Sequence, residues 1–429
     1  MALSIVGGWF VLLAVLVGSG ALLTVALERD GSWYRRRLPA GIAVGTLMTT
    51  ALTLYANLVW HPFPDPLPWV VVMWLGLTCV TVALAVLHSG ARARAAGVAL
   101  ALLVAVCGGI QVNASFGTYP TLASAFGEPL PGQVDSATVV GRDVPAANLS
   151  ADDPLVDSWN PTTVPGAAGE VTTVHIPGTI SGFTGRPAWI YLPPAYGADP
   201  RPLLPVLVLL SGQPGEPRNW FDGSQVPSIM DAYAAAHDGL APVVVVPDWV
   251  GTAAANPLCV DSRAGGNDYT YLTSDVPNWI RTELEIDTRP SRWAVGGLSA
   301  GATCAGQLAV NDPAQFPTLL FFSGQTEPTL SDRANTVATL FGGNEAAFLR
   351  INPLDILQRT RFPDSAAVFA AGTQDTTYGP QTRTVYRAAL AAGMDAVYLD
   401  LPGGHNSPFW SSALRASMDW LGRRLVITG

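Results

Sequence analysis

The stretch that decides the fold is Trp293-Ala-Val-Gly-Gly-Leu-Ser-Ala-Gly-Ala302, which sets the pattern Gly-x-Ser-x-Gly around Ser299. Its apolar beginning predicts a short buried strand, and the small residues after the serine predict a helix packed closely on that strand. A strand, a sharp turn and a helix are the context in which a serine hydroxyl is presented as a nucleophile. Glycine is abundant in this chain, with 43 residues. The alternative is therefore an ordinary tight turn whose serine only caps the helix.

On both sides of this stretch, apolar runs alternate with segments of helical periodicity. The predicted strands cover residues 171–176, 188–192, 203–210, 242–246, 293–295, 318–322, 366–370 and 396–401. The predicted helices cover residues 229–237, 271–284, 300–309, 382–392 and 409–425. This alternation predicts an α/β fold with a mainly parallel sheet covered by helices, extending from residue 170 to residue 429.

Two side chains that could activate Ser299 follow predicted strands later in the chain. His405 lies in Leu401-Pro-Gly-Gly-His-Asn-Ser-Pro408, and Asp375 ends the segment Gly372-Thr-Gln-Asp375. Loops at the carboxyl ends of parallel strands carry the chemistry in such sheets, and a serine hydroxyl needs a base to take its proton. We expect His405 to be that base and Asp375 to orient it. The alternatives are a turn histidine at 405 and, for the acid, Glu327 or Asp400.

Two backbone N–H groups should bind the oxyanion that forms on the substrate. Ala300, next to the serine, is the first expected donor. The second should come from the loop Ser211-Gly-Gln-Pro-Gly215, where we expect Gln213 to donate, with Gly212 as the alternative. Pro214 is excluded because proline has no N–H group.

The composition narrows the classes of function. The net charge is −9 and all 23 basic residues are arginines, so nucleic-acid binding, Schiff-base chemistry and a lysine-containing phosphate loop are not expected. The histidines are few and dispersed, with His175 and His237 as structural or surface residues, and they form no metal motif. We expect neither a metal nor a cofactor.

The first third of the chain contains four apolar segments, at residues 5–27, 41–60, 69–87 and 96–110. Each approaches the ~20 residues that cross a bilayer. The first and third connections carry four and two arginines, whereas the second carries none. The positive-inside rule therefore predicts that the N-terminus and everything after residue 110 lie outside the cytoplasm. Because the spans contain no charged residue, an anchor is favoured over a transport role.

These patterns divide the chain into a membrane region at 1–112, an irregular linker at 113–169 and a catalytic domain at 170–429. The linker assignment depends on a segment rich in Gly, Pro, Ser, Ala and Asp. Cys259 and Cys304 fall in the last part, and in an oxidising compartment a disulfide between them is expected. The alternative is two free thiols.

The catalytic part resembles the esterase-D and antigen-85 branch of the α/β-hydrolases, which includes mycolyltransferases and feruloyl-type esterases. The segments that carry the resemblance are Val206-Leu-Val-Leu-Leu-Ser-Gly212, Asn267-Asp-Tyr-Thr-Tyr-Leu-Thr-Ser-Asp-Val-Pro-Asn-Trp-Ile280, Val295-Gly-Gly-Leu-Ser-Ala-Gly301, Gly372-Thr-Gln-Asp375 and Gly404-His405. The resemblance implies a triad of Ser299, Asp375 and His405, with Gln213 and Ala300 as oxyanion donors.

One departure from the branch concerns the substrate. After the central strand, the mycolyltransferases have Asp-Gly-Leu-Arg, whose Asp and Arg help to bind trehalose, whereas this chain has Ser211-Gly-Gln-Pro214. The acid of the triad in the mycolyltransferases is typically Glu, whereas an Asp such as Asp375 resembles the acid of the wider esterase group. The membrane region lies outside the resemblance, and the whole architecture resembles actinobacterial membrane esterases.

The leading expectation is therefore a membrane-anchored serine esterase or acyltransferase. It would act through an acyl-enzyme on lipid or cell-envelope esters outside the cytoplasm, with the bilayer and an ester substrate as its partners and no nucleic acid. One alternative is mycolyltransferase-type transfer to a sugar with little hydrolysis. Another is a catalytically silent binding or scaffold protein that kept the hydrolase fold.

Overall fold

The computed structural model describes residues 3–28, 31–60, 66–140, 146–147, 149, 153–161, 166–252 and 255–429. Of the second connection between the apolar segments, residues 61–65 lie outside the described residues. The chain forms two compact units, Met1–Glu128 and Pro129–Gly429.

The first unit consists mainly of four helices, as the four apolar segments predicted. They are α1 (Gly8–Ala26), α2 (Trp33–Trp60), α3 (Trp69–Leu87) and α4 (Ala91–Phe116), followed by the short α5 (Leu122–Ala125). The four long helices have mean hydropathies of 2.3, 1.5, 2.5 and 2.2, so each is long and apolar enough to cross a membrane.

Small residues let these helices approach one another closely. A Cβ atom added to Gly45 on α2 would lie 2.5 Å from the Cα atom of Val80 on α3. One added to Gly97 on α4 would lie 2.6 Å from the Cβ atom of Ala85 on α3. Close backbone contact through small residues is how helices associate in lipid, where the hydrophobic effect gives no preference for helix over lipid.

The second unit is built on one eight-stranded sheet. Its strands are β1 (Glu170–Val174), β2 (Ala188–Leu192), β3 (Val206–Leu210), β4 (Val243–Val246), β5 (Trp293–Leu298), β6 (Thr318–Phe322), β7 (Ala366–Gly372) and β8 (Asp395–Leu401). Their order in the sheet is β1-β2-β4-β3-β5-β6-β7-β8. β2 is antiparallel to β1 and β4, and all the other pairs are parallel. This is the predicted α/β-hydrolase architecture.

Helices precede the first strand, occupy connections between later strands and follow the last strand. They are α6 (Leu155–Ser158), α7 (Arg218–Asp222), α8 (Val226–Ala235), α9 (Asp268–Thr270), α10 (Val276–Glu283), α11 (Ala300–Asn311), α12 (Arg333–Phe341), α13 (Glu345–Ile351), α14 (Pro353–Arg359), α15 (Tyr378–Ala391) and α16 (Ser407–Arg424). Every residue of β3 to β7 is buried. Parallel strands covered on both faces have this pattern, and it explains their continuous apolar runs.

The segment 113–169, expected to be an irregular linker, is divided between the two units. α4 continues to Phe116, and the boundary between the units follows Glu128. Val139, Leu155 and Trp159 are buried in the core of the second unit. These apolar side chains lose contact with water there, although the polar sequence around them gave no helical or strand periodicity.

Candidate active site

Ser299 forms a sharp turn between β5 and α11. Its backbone has φ 55° and ψ −126°, a conformation that L-residues rarely adopt. The Ser299 N–H donates to the carbonyl oxygen of Phe322 at the end of β6, at 2.9 Å. The serine is therefore fixed at the carboxyl edge of the sheet, where loops from several strands meet.

The two glycines of the motif are required by contacts between backbones. A Cβ atom on Gly297 would lie 2.2 Å from the carbonyl carbon of Gly301, inside the turn itself. A Cβ atom on Gly301 would lie 2.3 Å from the carbonyl oxygen of Leu210, at the end of β3. Any side chain at either position would push α11 away from the sheet and move Ser299.

Ser299, His405 and Asp375 come together in one hydrogen-bonded chain. His405 Nε2 lies 3.0 Å from Ser299 Oγ, and His405 Nδ1 lies 2.9 Å from Asp375 Oδ2. The Asp375 carboxylate accepts a hydrogen bond from Nδ1–H, so the neutral ring leaves Nε2 free to accept the serine proton. The serine hydroxyl can therefore donate to the histidine, which is the arrangement that general-base activation needs.

Asp375 is buried, with 6% of its surface exposed. Its other carboxylate oxygen, Oδ1, accepts the N–H of Tyr378 at 2.9 Å. The two alternative acids have other partners, since Glu327 pairs with Arg333, and the exposed Asp400 pairs with Arg383.

Two aromatic rings hold the ring of His405. Tyr378 stacks on it with the centroids 4.3 Å apart and an interplanar angle of 26°. Trp410 meets it edge to face, at 5.1 Å and 86°. Because Tyr378 covers one face of the imidazole and Trp410 contacts it at nearly a right angle, the ring has little freedom to turn away from Ser299.

The expected oxyanion donors lie on two segments beside the serine. Ala300 is the first residue of α11, and the N–H groups of a first helical turn have no acceptor within the helix. A Cβ atom on Gly212 would lie 3.3 Å from Ser299 Cβ, so the loop 211–215 passes directly next to the serine. Gln213 in that loop is buried, and its side-chain amide donates to the Ala255 carbonyl at 3.2 Å.

Three further residues hold this loop, and sequence reasoning missed them. The Arg186 side chain donates to the Gly215 carbonyl at 2.7 Å and forms two hydrogen bonds with the Asp248 carboxylate. Trp249 Nε1 donates to the Ser211 carbonyl at 2.9 Å. Asp248 and Trp249 follow β4 at the carboxyl edge of the sheet, and that position was the available signal.

Asp248 also changes the electrostatics of Arg186. Burial opposes the charge of the guanidinium, but the hydrogen bond and the negative charge of Asp248 outweigh it and raise the pKa of Arg186 above its usual value. Arg186 is therefore a permanent cation that neutralises a fully buried carboxylate.

Cys259 and Cys304 form a disulfide with a Cα–Cα distance of 5.4 Å. Cys304 lies on α11, two turns or less from Ser299, and Gln307 on the same helix donates to the carbonyls of Leu258 and Cys259. The loop after β4 is thereby tied to the helix that follows the serine. Among the described residues, no group of three or more His, Cys, Asp or Glu side chains has the arrangement of a metal site.

The site lies within the part of the chain that known proteins share. The Esterase family model, described as "Putative esterase", matches residues 184–421. An uncharacterized protein of Corynebacterium glutamicum is 33% identical over 421 residues, which covers 96% of this chain and 94% of that protein.

Two solved structures show the same fold. A ferulic acid esterase has a TM-score of 0.52 at 18% identity, covering 60% of this chain and 99% of its own. The S-formylglutathione hydrolase from Agrobacterium tumefaciens has a TM-score of 0.51 at 19% identity, covering 62% and 100%. At these identities the likeness concerns the fold, while the family match covers more than half of the chain. The chain belongs to the Esterase family of α/β-hydrolase-fold enzymes, which makes it an ester hydrolase or acyl-transfer enzyme.

Proposed function

We propose that this protein is a membrane-anchored serine esterase or acyltransferase in which Ser299 is the nucleophile, His405 the general base and Asp375 the group that orients the base. The observation that carries the proposal is the hydrogen-bonded chain from Ser299 Oγ through His405 to Asp375, with distances of 3.0 and 2.9 Å. Its position at a strained turn between β5 and α11 matches the geometry that nucleophilic serine catalysis needs.

In the first half-reaction, Ser299 Oγ attacks the ester carbonyl carbon while His405 Nε2 takes the hydroxyl proton. The carbonyl oxygen becomes an oxyanion that accepts hydrogen bonds from the backbone N–H groups of Ala300 and Gln213. When the tetrahedral intermediate collapses, the ester C–O bond breaks, and His405 returns the proton to the departing alcohol. Asp375 stabilises the imidazolium that exists between these two proton transfers.

In the second half-reaction, water or an acceptor hydroxyl attacks the acyl-enzyme. His405 takes the proton of the attacking group, and the bond between the acyl carbon and Ser299 Oγ breaks. The proton then returns to Ser299, so the enzyme is regenerated. Hydrolysis and transfer differ only in which hydroxyl reaches the acyl carbon.

The substrates that we propose are lipid or cell-envelope esters on the outer side of the membrane. Support for the side comes from the first unit, where the two arginine-bearing connections meet: Arg37 donates to Ser89 Oγ at 2.6 Å, and His88 pairs with Glu28 at 2.8 Å. Ile5 meets Pro120 through a backbone hydrogen bond at 3.0 Å, as expected if the N-terminus and the end of α4 share a side. With the arginines in the cytoplasm, the chain that follows α4 continues outside.

The test is labelling of the full-length protein in detergent with a fluorophosphonate, together with turnover of p-nitrophenyl esters. We expect Ser299→Ala to lose both labelling and turnover, whereas Ser228→Ala, at an exposed serine on α8, keeps both. Labelling that persists in Ser299→Ala would refute the assignment of the nucleophile. A folded wild-type protein that is neither labelled nor active would instead favour a silent scaffold, and a product that forms only with a sugar acceptor would favour a dedicated acyltransferase.

A further inference from the structure

A cluster of three residues, Arg186, Asp248 and Trp249, lies beside the proposed oxyanion donors without containing any of them. β2 is antiparallel to β4, and Trp189 pairs with Val246. The residue that enters β2 therefore lies next to the residues that leave β4. This reversal brings Arg186 to the carboxyl edge of the sheet, although it precedes its own strand. We call these three residues the anchor cluster.

Asp248 is the centre of the anchor cluster. It is fully buried and accepts the backbone N–H of Arg186 at 2.7 Å. Its two oxygens also accept Nε and Nη2 of the same arginine, each at 2.8 Å. Paired, charge-assisted bonds of this kind fix the plane of the guanidinium as well as its position.

The fixed guanidinium and the indole hold both ends of the loop 211–215. Arg186 Nη2 donates to the Gly215 carbonyl at 2.7 Å, and Trp249 Nε1 donates to the Ser211 carbonyl at 2.9 Å. Between these two points the loop turns tightly, because a Cβ atom on Gly215 would lie 2.4 Å from the Gly212 oxygen. The middle of the loop is thereby fixed beside the serine, where a Cβ atom on Gly212 would lie 3.3 Å from Ser299 Cβ.

We propose that Arg186 and Trp249 are positioning residues that set the loop 211–215 at the distance from Ser299 at which its N–H group meets the oxyanion. This inference rests on the proposed function and names the groups that make its oxyanion site rigid. An oxyanion donor stabilises a charge that exists only in the transition state, so a displaced loop lowers kcat and leaves substrate binding almost unchanged. Neither anchor needs to contact the substrate.

Lysine cannot replace Arg186 in this role. One planar group here serves both oxygens of Asp248 and a carbonyl in a third direction, whereas an ammonium is a point charge on a flexible stem. The Arg186→Lys variant keeps the positive charge beside Asp248, so the buried carboxylate stays neutralised while the bond to Gly215 is lost. The Arg186→Lys variant therefore separates two roles of Arg186, the positioning of the loop 211–215 and the neutralisation of the Asp248 charge.

The experiment compares wild type, Arg186→Lys and Trp249→Phe as full-length proteins in detergent. It measures kcat and KM for a p-nitrophenyl ester, the inhibition constant of a trifluoromethyl ketone, and the melting temperature. The ketone forms a tetrahedral adduct whose oxyanion occupies the same donors. We expect kcat to fall about 10- to 100-fold with KM within about threefold, and the ketone to bind more weakly by the same factor as kcat.

The matched control is Arg292→Lys. Arg292 is also buried and also donates to backbone carbonyls, those of Leu425 and Val426. The Arg292→Lys variant makes the same substitution at a site outside the loop 211–215. We expect the kcat of this variant to stay near that of wild type.

The inference is overturned if folded Arg186→Lys and Trp249→Phe keep the wild-type kcat, or if Arg292→Lys loses as much. Should Arg186→Lys not fold, Trp249→Phe decides alone, because it removes the hydrogen bond at the other end of the loop and retains an aromatic ring. A failure of the proposed function looks different, since the wild type itself would then show no turnover and no labelling at Ser299.

Discussion

Ser299 combines a reactive position with an unfavourable backbone. Its φ of 55° with ψ of −126° is a conformation that only glycine adopts without strain, and such strain costs about 1–3 kcal/mol. We predict that Ser299→Gly stabilises the second unit by an amount of this order while it abolishes turnover, because the hydroxyl is lost and the strain is relieved.

The control for this prediction is Ser299→Ala, which also lacks the hydroxyl but keeps a Cβ atom and therefore the strain. Thermal unfolding of both variants in the same detergent separates the two effects. Equal melting temperatures for the glycine and alanine variants would show that the turn stores no strain.

Asp268 is a second residue whose environment has a measurable consequence. It is fully buried, and burial, together with the negative charge of Asp261, raises its pKa well above the ordinary value of 3.8. Nearby backbone N–H groups, including that of Cys259, lower the pKa only in part. The folded state thus holds this proton more tightly than the unfolded chain does.

The sign of the pH effect follows from that tighter binding. The contribution of Asp268 to stability is complete below pH 3.8 and is lost as the pH rises through the raised pKa, with a slope of at most about 1.4 kcal/mol per pH unit. We predict that Asp268→Asn flattens the dependence of the melting temperature on pH above 3.8, because the amide cannot ionise yet keeps an acceptor oxygen. Asp395→Asn, at an exposed position, should leave that dependence as it is in wild type.

Residues that directly follow a parallel strand could be placed from the sequence, because the ends of those strands can be predicted. Ser299, Asp375 and His405 each follow a strand in the parallel part of the sheet, so they had to arrive at one edge. Arg186 precedes its strand and reaches that edge only because β2 is antiparallel to β4. No local pattern distinguishes these two strand directions, which is why the position of Arg186 could not be predicted.

At the scale of elements, strands were easier to predict than short helices. The sequence predicted all eight strands to within a few residues, and the signal was continuous in β3 to β7, which are buried on both faces. The helices α12 to α14 were missed because each has only seven to nine residues and a narrow apolar face. Their start signals were present, as the side chains of Asp332 and Asn344 accept N–H groups of α12 and α13.

The disulfide is an element-scale feature because it joins the loop after β4 to α11. It closes a segment with a sequence separation of 45 residues, and cross-links of this kind contribute about 2–4 kcal/mol by restricting the unfolded chain. We predict that replacing both cysteines by serine lowers the stability by this amount. Because Gln307 also holds Leu258 and Cys259, the loop should loosen without leaving the helix.

Limited proteolysis and thermal unfolding in detergent check this prediction. Cleavage within 255–266 should become faster in the double variant, and labelling of Ser299 by a fluorophosphonate should remain. The matched control replaces Cys79 and Cys107, which are free thiols buried in the first unit, and should leave the cleavage of this loop unchanged. Unaltered cleavage in the Cys259 and Cys304 variant would contradict a tethering role.

At the scale of the whole molecule, the proposed function requires the proposed active site to lie on the outer side of the membrane. The arginine-bearing connections before α2 and before α4 meet in the first unit, through Arg37 with Ser89 and Glu28 with His88. The positive-inside rule predicts that these arginines stay in the cytoplasm, so we expect the chain after the fourth span to lie outside. The Cys259–Cys304 disulfide favours the same placement, because disulfides persist mainly outside the reducing cytoplasm.

Single cysteines at exposed positions test this arrangement in intact cells of the producing organism. We predict that a membrane-impermeant maleimide labels Ser412→Cys on α16 before lysis, whereas it labels Arg92→Cys at the start of α4 only after lysis. The wild-type chain is the background control, since its two free thiols are buried and the other two are bonded. The opposite labelling pattern would put the hydrolase unit in the cytoplasm, where the disulfide would not persist and envelope esters would be out of reach. Labelling at 412 but not at 92 would place the proposed nucleophile, Ser299, in the compartment that contains those esters.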